Sequence, residues 1–194
     1  INCQKCYACR RGHTNCCEHH QTLGVHCDGG LRPYFTVPAR KLHISRKLSF
    51  EQLALVETLA IGCHAVDRAA PKVGEWVLVI GAGPIGLSTI EFVKLTGANL
   101  VVMDVNEQRL DFCRTVMGVK HTVLVKEGLE KEVWQICDDH MPDVVIDATG
   151  NSQAMSKAFG YITHAGRLVF VGITTEDVSF KHPIFHRPEG TLLC

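Results

Sequence analysis

An α/β fold, with a parallel sheet covered by helices on both faces, is what this sequence predicts, on three observations. Compact apolar runs such as Val77-Leu78-Val79-Ile80, Leu100-Val101-Val102-Met103 and Leu168-Val169-Phe170-Val171 read as strands buried on both faces. Between them lie segments whose apolar residues recur at helical spacing. Glycine closes or opens the junctions, as at Gly97, Gly118 and Gly172. Strands and helices alternating in this way need crossovers that bring each strand back parallel to the last.

The elements come in this order. Residues 1–30 are polar, rich in Cys and His and without a clear period, so they bury no core of their own and need a staple. Residues 31–48 carry short apolar pieces, such as Tyr34-Phe35-Thr36-Val37, that read as short strands or extended loop. From Phe50 the spacing of Leu53, Val56, Leu59 and Ala60 predicts a helix or helix pair to about Ala70, where Pro71 and Gly74 break it. A strand at 77–80 leads through a glycine turn into a helix at 84–96. A strand at 100–103 and a helix at 107–117 come next, then a strand at 121–125 and a helix at 130–138. The run Val144-Val145-Ile146 is a strand ending at Asp147, and Asn151 or Ser152 caps a helix to about Ile162. A strand at 168–171 and the start of another at 191–194 complete the series. The change of pattern places a domain boundary between 1–53 and 54–194.

Composition narrows the function classes. With 46% apolar and 21% charged residues the chain has an ordinary globular balance, which excludes a disordered, collagen-like or coiled-coil protein. No apolar stretch approaches the ~18–20 residues of a membrane span. The 20 basic residues are matched by 20 acidic ones, so nothing draws the whole chain to nucleic acid or anionic lipid. No secretory signal opens the chain, and Ile1 stands where an initiator Met would be, which predicts a fragment of a longer protein.

Gly81-Ala82-Gly83-Pro84-Ile85-Gly86 fits G-x-G-x-x-G, and it comes after a strand and opens a helix, the context a dinucleotide-binding, Rossmann-type turn requires. Gly81 permits the tight turn, Gly83 lets backbone approach a pyrophosphate at the helix N-terminus, and Gly86 lets helix and sheet pack closely. Pro84 suits the first helical turn, where a missing N–H costs nothing. Asp104, 18 residues beyond Gly86, ends the second strand, where a carboxylate accepts from ribose hydroxyls and repels a 2′-phosphate. This favours NAD over NADP. Arg109 stands either at the adenine end or as a solvated helix residue.

Ten cysteines are unevenly spread, five of them in the first 17 residues. Cys3, Cys6 and Cys9 have C-x2-C-x2-C spacing, with Cys16 and Cys17 competing for a fourth place. Four thiolates on short loops suit a closed tetrahedral zinc site. An iron–sulfur cluster lacks its usual fourth Cys spacing here, and disulfides are the alternative in an oxidising compartment. A nucleotide-binding fold favours a reducing, cytoplasmic one.

The combination resembles the zinc-containing alcohol/polyol dehydrogenases of the medium-chain dehydrogenase/reductase superfamily, over essentially the whole 194 residues. Their structural-zinc lobe has C-x2-C-x2-C-x7-C, which Cys3, Cys6, Cys9 and Cys17 match. Gly12-His13-Thr14-Asn15-Cys16-Cys17-Glu18, Leu23-Gly24-Val25-His26, Asp28-Gly29-Gly30 and Asp147-Ala148-Thr149-Gly150-Asn151 are similar to the sugar-acid dehydrogenases of the L-galactonate oxidoreductase type. The resemblance implies a mostly-β catalytic domain around the zinc lobe, ahead of the NAD-binding domain. It implies that Glu57 stands in or beside a catalytic zinc shell, although Thr58 replaces the usual Pro. It places Ile85, Thr149 and Gly150 beside the cofactor, and Val171 and Gly172 at the nicotinamide carboxamide. The Leu31-Arg32-Pro33-Tyr34 segment departs from the family's loop.

The resemblance implies zinc-dependent hydride transfer between NAD and a secondary alcohol, a polyol or sugar acid. It implies a homo-oligomer with a small-molecule substrate, and neither nucleic acid nor membrane as partner. The family's first catalytic-zinc cysteine and its Gly-His-Glu segment fall upstream of Ile1. The competing expectation is therefore a non-catalytic NAD-binding fragment with one structural zinc.

Overall fold

A computed structural model describes residues 1–194, which divide into two compact units, Ile1–Lys47 and Leu48–Cys194. The first unit is nearly devoid of regular structure. It holds the one-turn helix α1 (Tyr7–Arg10), two short 3-10 turns at Thr14–Cys16 and Ala39–Lys41, and a single β-bridge between Leu23 and Cys27. The Tyr34–Val37 stretch is extended loop, without strand pairing. Only Asn2, Cys6 and Cys17 of this unit are buried. Without a large apolar side chain in its interior, hydrophobic burial cannot be what fixes it.

The second unit opens with two helices, α2 (Phe50–Ala54) and α3 (Val56–Ala69). Ser49 and Gln52 form a reciprocal capping box at the start of α2. The helix α3 ends where Ala70 turns left-handed, one residue before Pro71. Six strands and five further helices come after it: β1 (Trp76–Ile80), α4 (Pro84–Lys94), β2 (Asn99–Asp104), α5 (Glu107–Thr115), β3 (His121–Leu124), α6 (Leu129–Ile136), β4 (Val144–Asp147), α7 (Ser152–Ala158), β5 (Arg167–Phe170), α8 (His182–His186) and β6 (Thr191–Leu193). The strands form one all-parallel sheet in the order β3-β2-β1-β4-β5-β6. Alternate residues of β1 feed opposite cores. Val77 and Val79 pack with Ala65, Ile90, Val93 and Leu110, whereas Trp76, Leu78 and Ile80 pack with Leu129, Val133, Ala158 and Phe159. That division explains why the strands read as unbroken apolar runs. The chain reverses its direction of growth between β1 and β4, and in such sheets the crevice beyond the strand C-termini at that point is where ligands bind.

Several helices stop earlier than their apolar periodicity predicts, for local reasons. Consecutive left-handed residues at Asp138 and Asp139 turn the chain just past α6, so the helix does not reach 138. The helix α7 ends at Ala158 instead of continuing to 162, because Phe159, Tyr161 and Ile162 are all turned under the sheet, a spacing no helix face provides.

Candidate functional site

The N-terminal unit is organised around sulfur. The Sγ atoms of Cys3, Cys6, Cys9 and Cys17 all lie within 4.8 Å of one another, with Cys6 and Cys17 3.9 Å apart. A tetrahedral zinc with Zn–S of about 2.3 Å requires sulfurs about 3.8 Å apart, so the four residues fit that ion. The helix α1 creates the arrangement: Cys6 is its N-cap and accepts from the Cys9 N–H, while Cys3 accepts from the Cys6 N–H at 3.3 Å. Cys16 is exposed and outside the group. Electrostatics differ among the sulfurs. The N–H groups of Lys5 and Cys6 hold the Cys3 thiol down at about 6, and the Cys9 N–H lowers Cys6. Loss of water around Cys9 pushes its thiol up to about 11. Zinc ligation needs all four as thiolates, so binding displaces the proton that Cys9 holds.

The second assembly lies at the C-terminal ends of β1, β2 and β4, around a cleft of about 640 Å3. Gly81 takes φ +95° and donates its N–H to Met103 O at 2.7 Å, which folds the turn against β2. Such a φ is one that a residue with a Cβ adopts at a cost. A Cβ on Gly86 would stand 1.7 Å from Gly81 O, so α4 approaches its own turn as closely as glycine permits. A Cβ on Gly83 would meet nothing within 4 Å, and Gly83 lines the cleft. The N-terminus of α4 has no side-chain cap and no acidic residue in its first turn. Its free N–H groups and open Gly83 backbone are suited to an anion such as a pyrophosphate.

Asp104 is 4% exposed. It accepts from the Ala82 N–H at 2.6 Å through Oδ2 and from the Asn106 N–H at 2.8 Å through Oδ1. These bonds tie the glycine turn to the end of β2. They use two of the carboxylate's roughly four acceptor sites, which leaves capacity for hydroxyl donors. The Arg109 guanidinium stands 3.7 Å from Asp104 Oδ2, half-exposed, on the cleft wall.

Of the residues singled out in sequence, Gly81, Gly83, Pro84, Asp104, Arg109 and Thr149 line this cleft. Ile85 and Gly86 do not, and Gly86 acts through packing. Gly150, Val171 and Gly172 sit beside it, where the loops after β4 and β5 meet: a Cβ on Gly172 would fall 2.2 Å from Gly150 N. Thr149 is held by Asp147, whose Oδ1 accepts from both its N–H and its hydroxyl. Burial raises the Asp147 carboxyl pKa. Sequence reasoning missed Val105, Gln153, Lys157 and Tyr161, which also line the cleft. Gln153 and Lys157 are four apart on α7, a spacing that puts both on one helix face. Tyr161 gave no such signal, because it lies beyond the helix end.

Glu57 is exposed on the first turn of α3 and belongs to no group of three metal-ligating side chains; the four cysteines form the one such group.

The sequence profile of zinc-binding dehydrogenases matches residues 84–193, more than half of the chain. The chain belongs to the zinc-binding dehydrogenase family. Residues 1–47 match a second profile, the alcohol dehydrogenase GroES-like domain. Among curated relatives of this zinc-binding dehydrogenase, L-galactonate-5-dehydrogenase of Escherichia coli K12 is 38% identical over 193 residues, covering 100% of the chain and 57% of that protein. An alcohol dehydrogenase of E. coli CFT073 solved with NADH superposes with a TM-score of 0.90 at 26% identity, over 100% of this chain and 58% of that one. A Sinorhizobium meliloti 1021 protein solved with NADP gives 0.89 at 26% identity, with the same coverage. The chain thus spans little more than half the length of these relatives. No helix is long and apolar enough to cross a membrane.

Proposed function

We propose that this zinc-binding dehydrogenase chain carries the NAD grip and the structural-zinc lobe of an oxidoreductase that transfers hydride between NAD and a secondary alcohol of a polyol or sugar acid. The observation that carries the reading is the joint presence of a four-sulfur cluster and an open glycine turn tied to a strand-end carboxylate. The similarity to L-galactonate-5-dehydrogenase supports the sugar-acid class. Cys3, Cys6, Cys9 and Cys17 would hold the structural zinc. Gly81, Gly83, Pro84 and the first N–H groups of α4 would hold the pyrophosphate, with Ile85 and Gly86 shaping that turn. Asp104 would orient the adenosine ribose, Arg109 would flank it, and Thr149, Gly150, Val171 and Gly172 would bound the nicotinamide side. Bound NAD would supply hydride acceptance, while polarising the substrate hydroxyl would fall to a separate catalytic metal with an open position, not to the closed four-sulfur zinc.

Glu57 would contribute to the catalytic metal, but one carboxylate is not a zinc site. This favours a second reading for these 194 residues taken alone: an NAD-binding piece with one structural zinc and no turnover. Zinc analysis and activity separate the two. The chain is expected to retain one zinc, unchanged in Glu57→Gln. The protein that contains this chain, supplied with Zn2+, is expected to form NADH from polyols or aldonic acids and to lose most of that activity in Glu57→Gln. Absence of NADH formation with every such substrate would overturn the dehydrogenase reading. In the cytoplasmic, homo-oligomeric enzyme of this proposal the substrate is the only small-molecule partner besides NAD.

Cofactor choice tests Asp104. The chain should bind NAD at least ~10-fold more tightly than NADP, since a carboxylate beside a 2′-phosphate is repulsive. Asp104→Asn should narrow that preference and lower stability by about 1 kcal/mol, because one of the two N–H groups it now serves meets an amide N–H instead of an oxygen. Calorimetric titration with both nucleotides reads the first, and chemical denaturation the second. An Asn variant with unaltered preference would remove Asp104 from the ribose site.

A further inference from the structure

We infer that Asn2 is a positioning residue for Cys9 and that Cys9 is the labile corner of the four-sulfur cluster, an inference that rests on the structural-zinc reading proposed above. The hydrogen bonds reaching the four sulfurs are unequal. Cys17 Sγ accepts backbone N–H groups from Cys3 at 3.3 Å and His19 at 3.4 Å. Cys3 Sγ accepts from Cys6 N–H at 3.3 Å and from Lys5 N–H. Cys6 Sγ accepts from Cys9 N–H at 3.5 Å and from Glu18 N–H. All these donors are backbone, fixed by the same loops that place the sulfurs. Cys9 Sγ instead depends on a side chain, the Asn2 Nδ2 group at 3.7 Å, with only a weak backbone contribution from Gln4.

Asn2 makes little sense otherwise. It is 8% exposed, and its Oδ1 is buried without a partner. Burying an unpaired amide oxygen is destabilising, and an apolar side chain of similar size would avoid it. The side chain's one hydrogen bond is the one to Cys9, so that contact is what the amide supplies. An N–H donated to a thiolate stabilises its charge, orients its lone pairs and lowers its nucleophilicity. Cys9 is also the one cluster cysteine lining a pocket of about 280 Å3, together with Asn2, Gln4, Thr14, Arg40 and Lys41. Cys6 and Cys17 are buried and Cys3 and Cys9 half-buried, so of the two sulfurs open to reagents Cys9 is the one with the weaker support, and two cations that attract anions flank its pocket.

The test uses the zinc-loaded 194-residue chain and its Asn2→Leu, Asn2→Asp and Asn2→Gln variants. Zinc affinity is read by competition with a chromogenic chelator, and ligand geometry by the sulfur-to-cobalt charge-transfer band of the Co2+ form. Iodoacetamide then reports which sulfur leaves the metal first: the thiolate attacks carbon, iodide departs, and the alkylated cysteine is located by mass spectrometry. Asn2→Leu should weaken zinc binding roughly 10–100-fold, shift the cobalt band and accelerate alkylation at Cys9 ahead of Cys3, Cys6 and Cys17. Asn2→Asp, which sets a second anion against the thiolates, should weaken binding further, and Asn2→Gln, which keeps a donor amide, should recover part of the loss. Unfolding of the Leu48–Cys194 unit, which contains none of these residues, is the control for general damage. Zinc-binding wild-type chain with Asn2→Leu within twofold in affinity and no preference for Cys9 would overturn this inference. Wild-type chain that binds no zinc would overturn the structural-zinc reading itself.

Discussion

Removing zinc from the chain, by chelation or by Cys17→Ser, should unfold residues 1–47 and leave the sheet of the second unit standing. The asymmetry comes from what each unit buries. Residues 1–47 bury Asn2, Cys6 and Cys17 and expose Leu31, Tyr34, Leu42 and Ile44. Fixing a backbone costs about 1–2 kcal/mol per residue, and three short helical turns with one β-bridge cannot offset that cost. Binding of a structural zinc by four thiolates contributes on the order of 10–16 kcal/mol, enough to decide whether such a lobe folds. The second unit has two apolar cores, one on each face of a six-stranded sheet, and owes nothing to the metal. Hydrogen exchange is the direct measurement. Chelator or Cys17→Ser should abolish protection at α1 and the Thr14–Cys16 turn, while amides of β1, β2 and β4 keep theirs. Cys16→Ser should change neither, because Cys16 lies outside the cluster. Protection of α1 that survives in the zinc-free chain would show that the lobe has some other source of stability.

How far the sequence alone led depends on which physical effect set each feature. The central strands were legible because a strand buried on both faces must be apolar at nearly every position, whereas the half-exposed edge strands β3 and β6 were read from the regular alternation of elements. Val77 to Ile80 could be read in that way without knowing its neighbours. The ends of α6 and α7 were not, since they are fixed by left-handed residues at Asp138 and Asp139 and by the tertiary burial of Phe159, Tyr161 and Ile162. In the lobe, C-x2-C-x2-C spacing showed three sulfurs that could converge, but choosing between Cys16 and Cys17 required the family pattern. The structure places Cys17 2% exposed with the other three and Cys16 outside. The glycine turn announced its chemistry because each glycine answers a separate geometric demand. Val105 and Tyr161 on the cleft wall were invisible, because their common location depends on the sheet bringing the end of β2 and the chain beyond α7 together. Asn2 was silent for a different reason: a single Asn beside a Cys carries no pattern, and its significance arises only from counting donors to four sulfurs.

Gly83→Ala and Gly86→Ala should both lose NAD, by two unlike routes that stability measurements tell apart. A Cβ on Gly83 meets no atom of the chain within 4 Å, and Gly83 already has φ −80° and ψ −175°, which alanine adopts freely. Gly is a better N-cap than Ala by up to about 1 kcal/mol, so Gly83→Ala should unfold within about 1 kcal/mol of wild type. The added methyl occupies the cleft over which a pyrophosphate would lie, and NAD affinity should fall at least ~10–100-fold, about 1.4 kcal/mol for each factor of ten. At Gly86 the same methyl would sit 1.7 Å from Gly81 O and 2.8 Å from Gly81 C, both backbone atoms that no rotamer change can move. The start of α4 must then back away from β1. That separates packed elements on the face where Val77 and Val79 meet Ile90 and Val93, and overpacking of this kind costs about 1–3 kcal/mol. Gly86→Ala should therefore show a lower midpoint in denaturant as well as weakened NAD binding. Gly83→Ala that binds NAD like wild type would place the pyrophosphate somewhere other than this turn. Gly86→Ala with undiminished stability would mean that α4 is free to slide, and that the third glycine of the motif is not a packing requirement here.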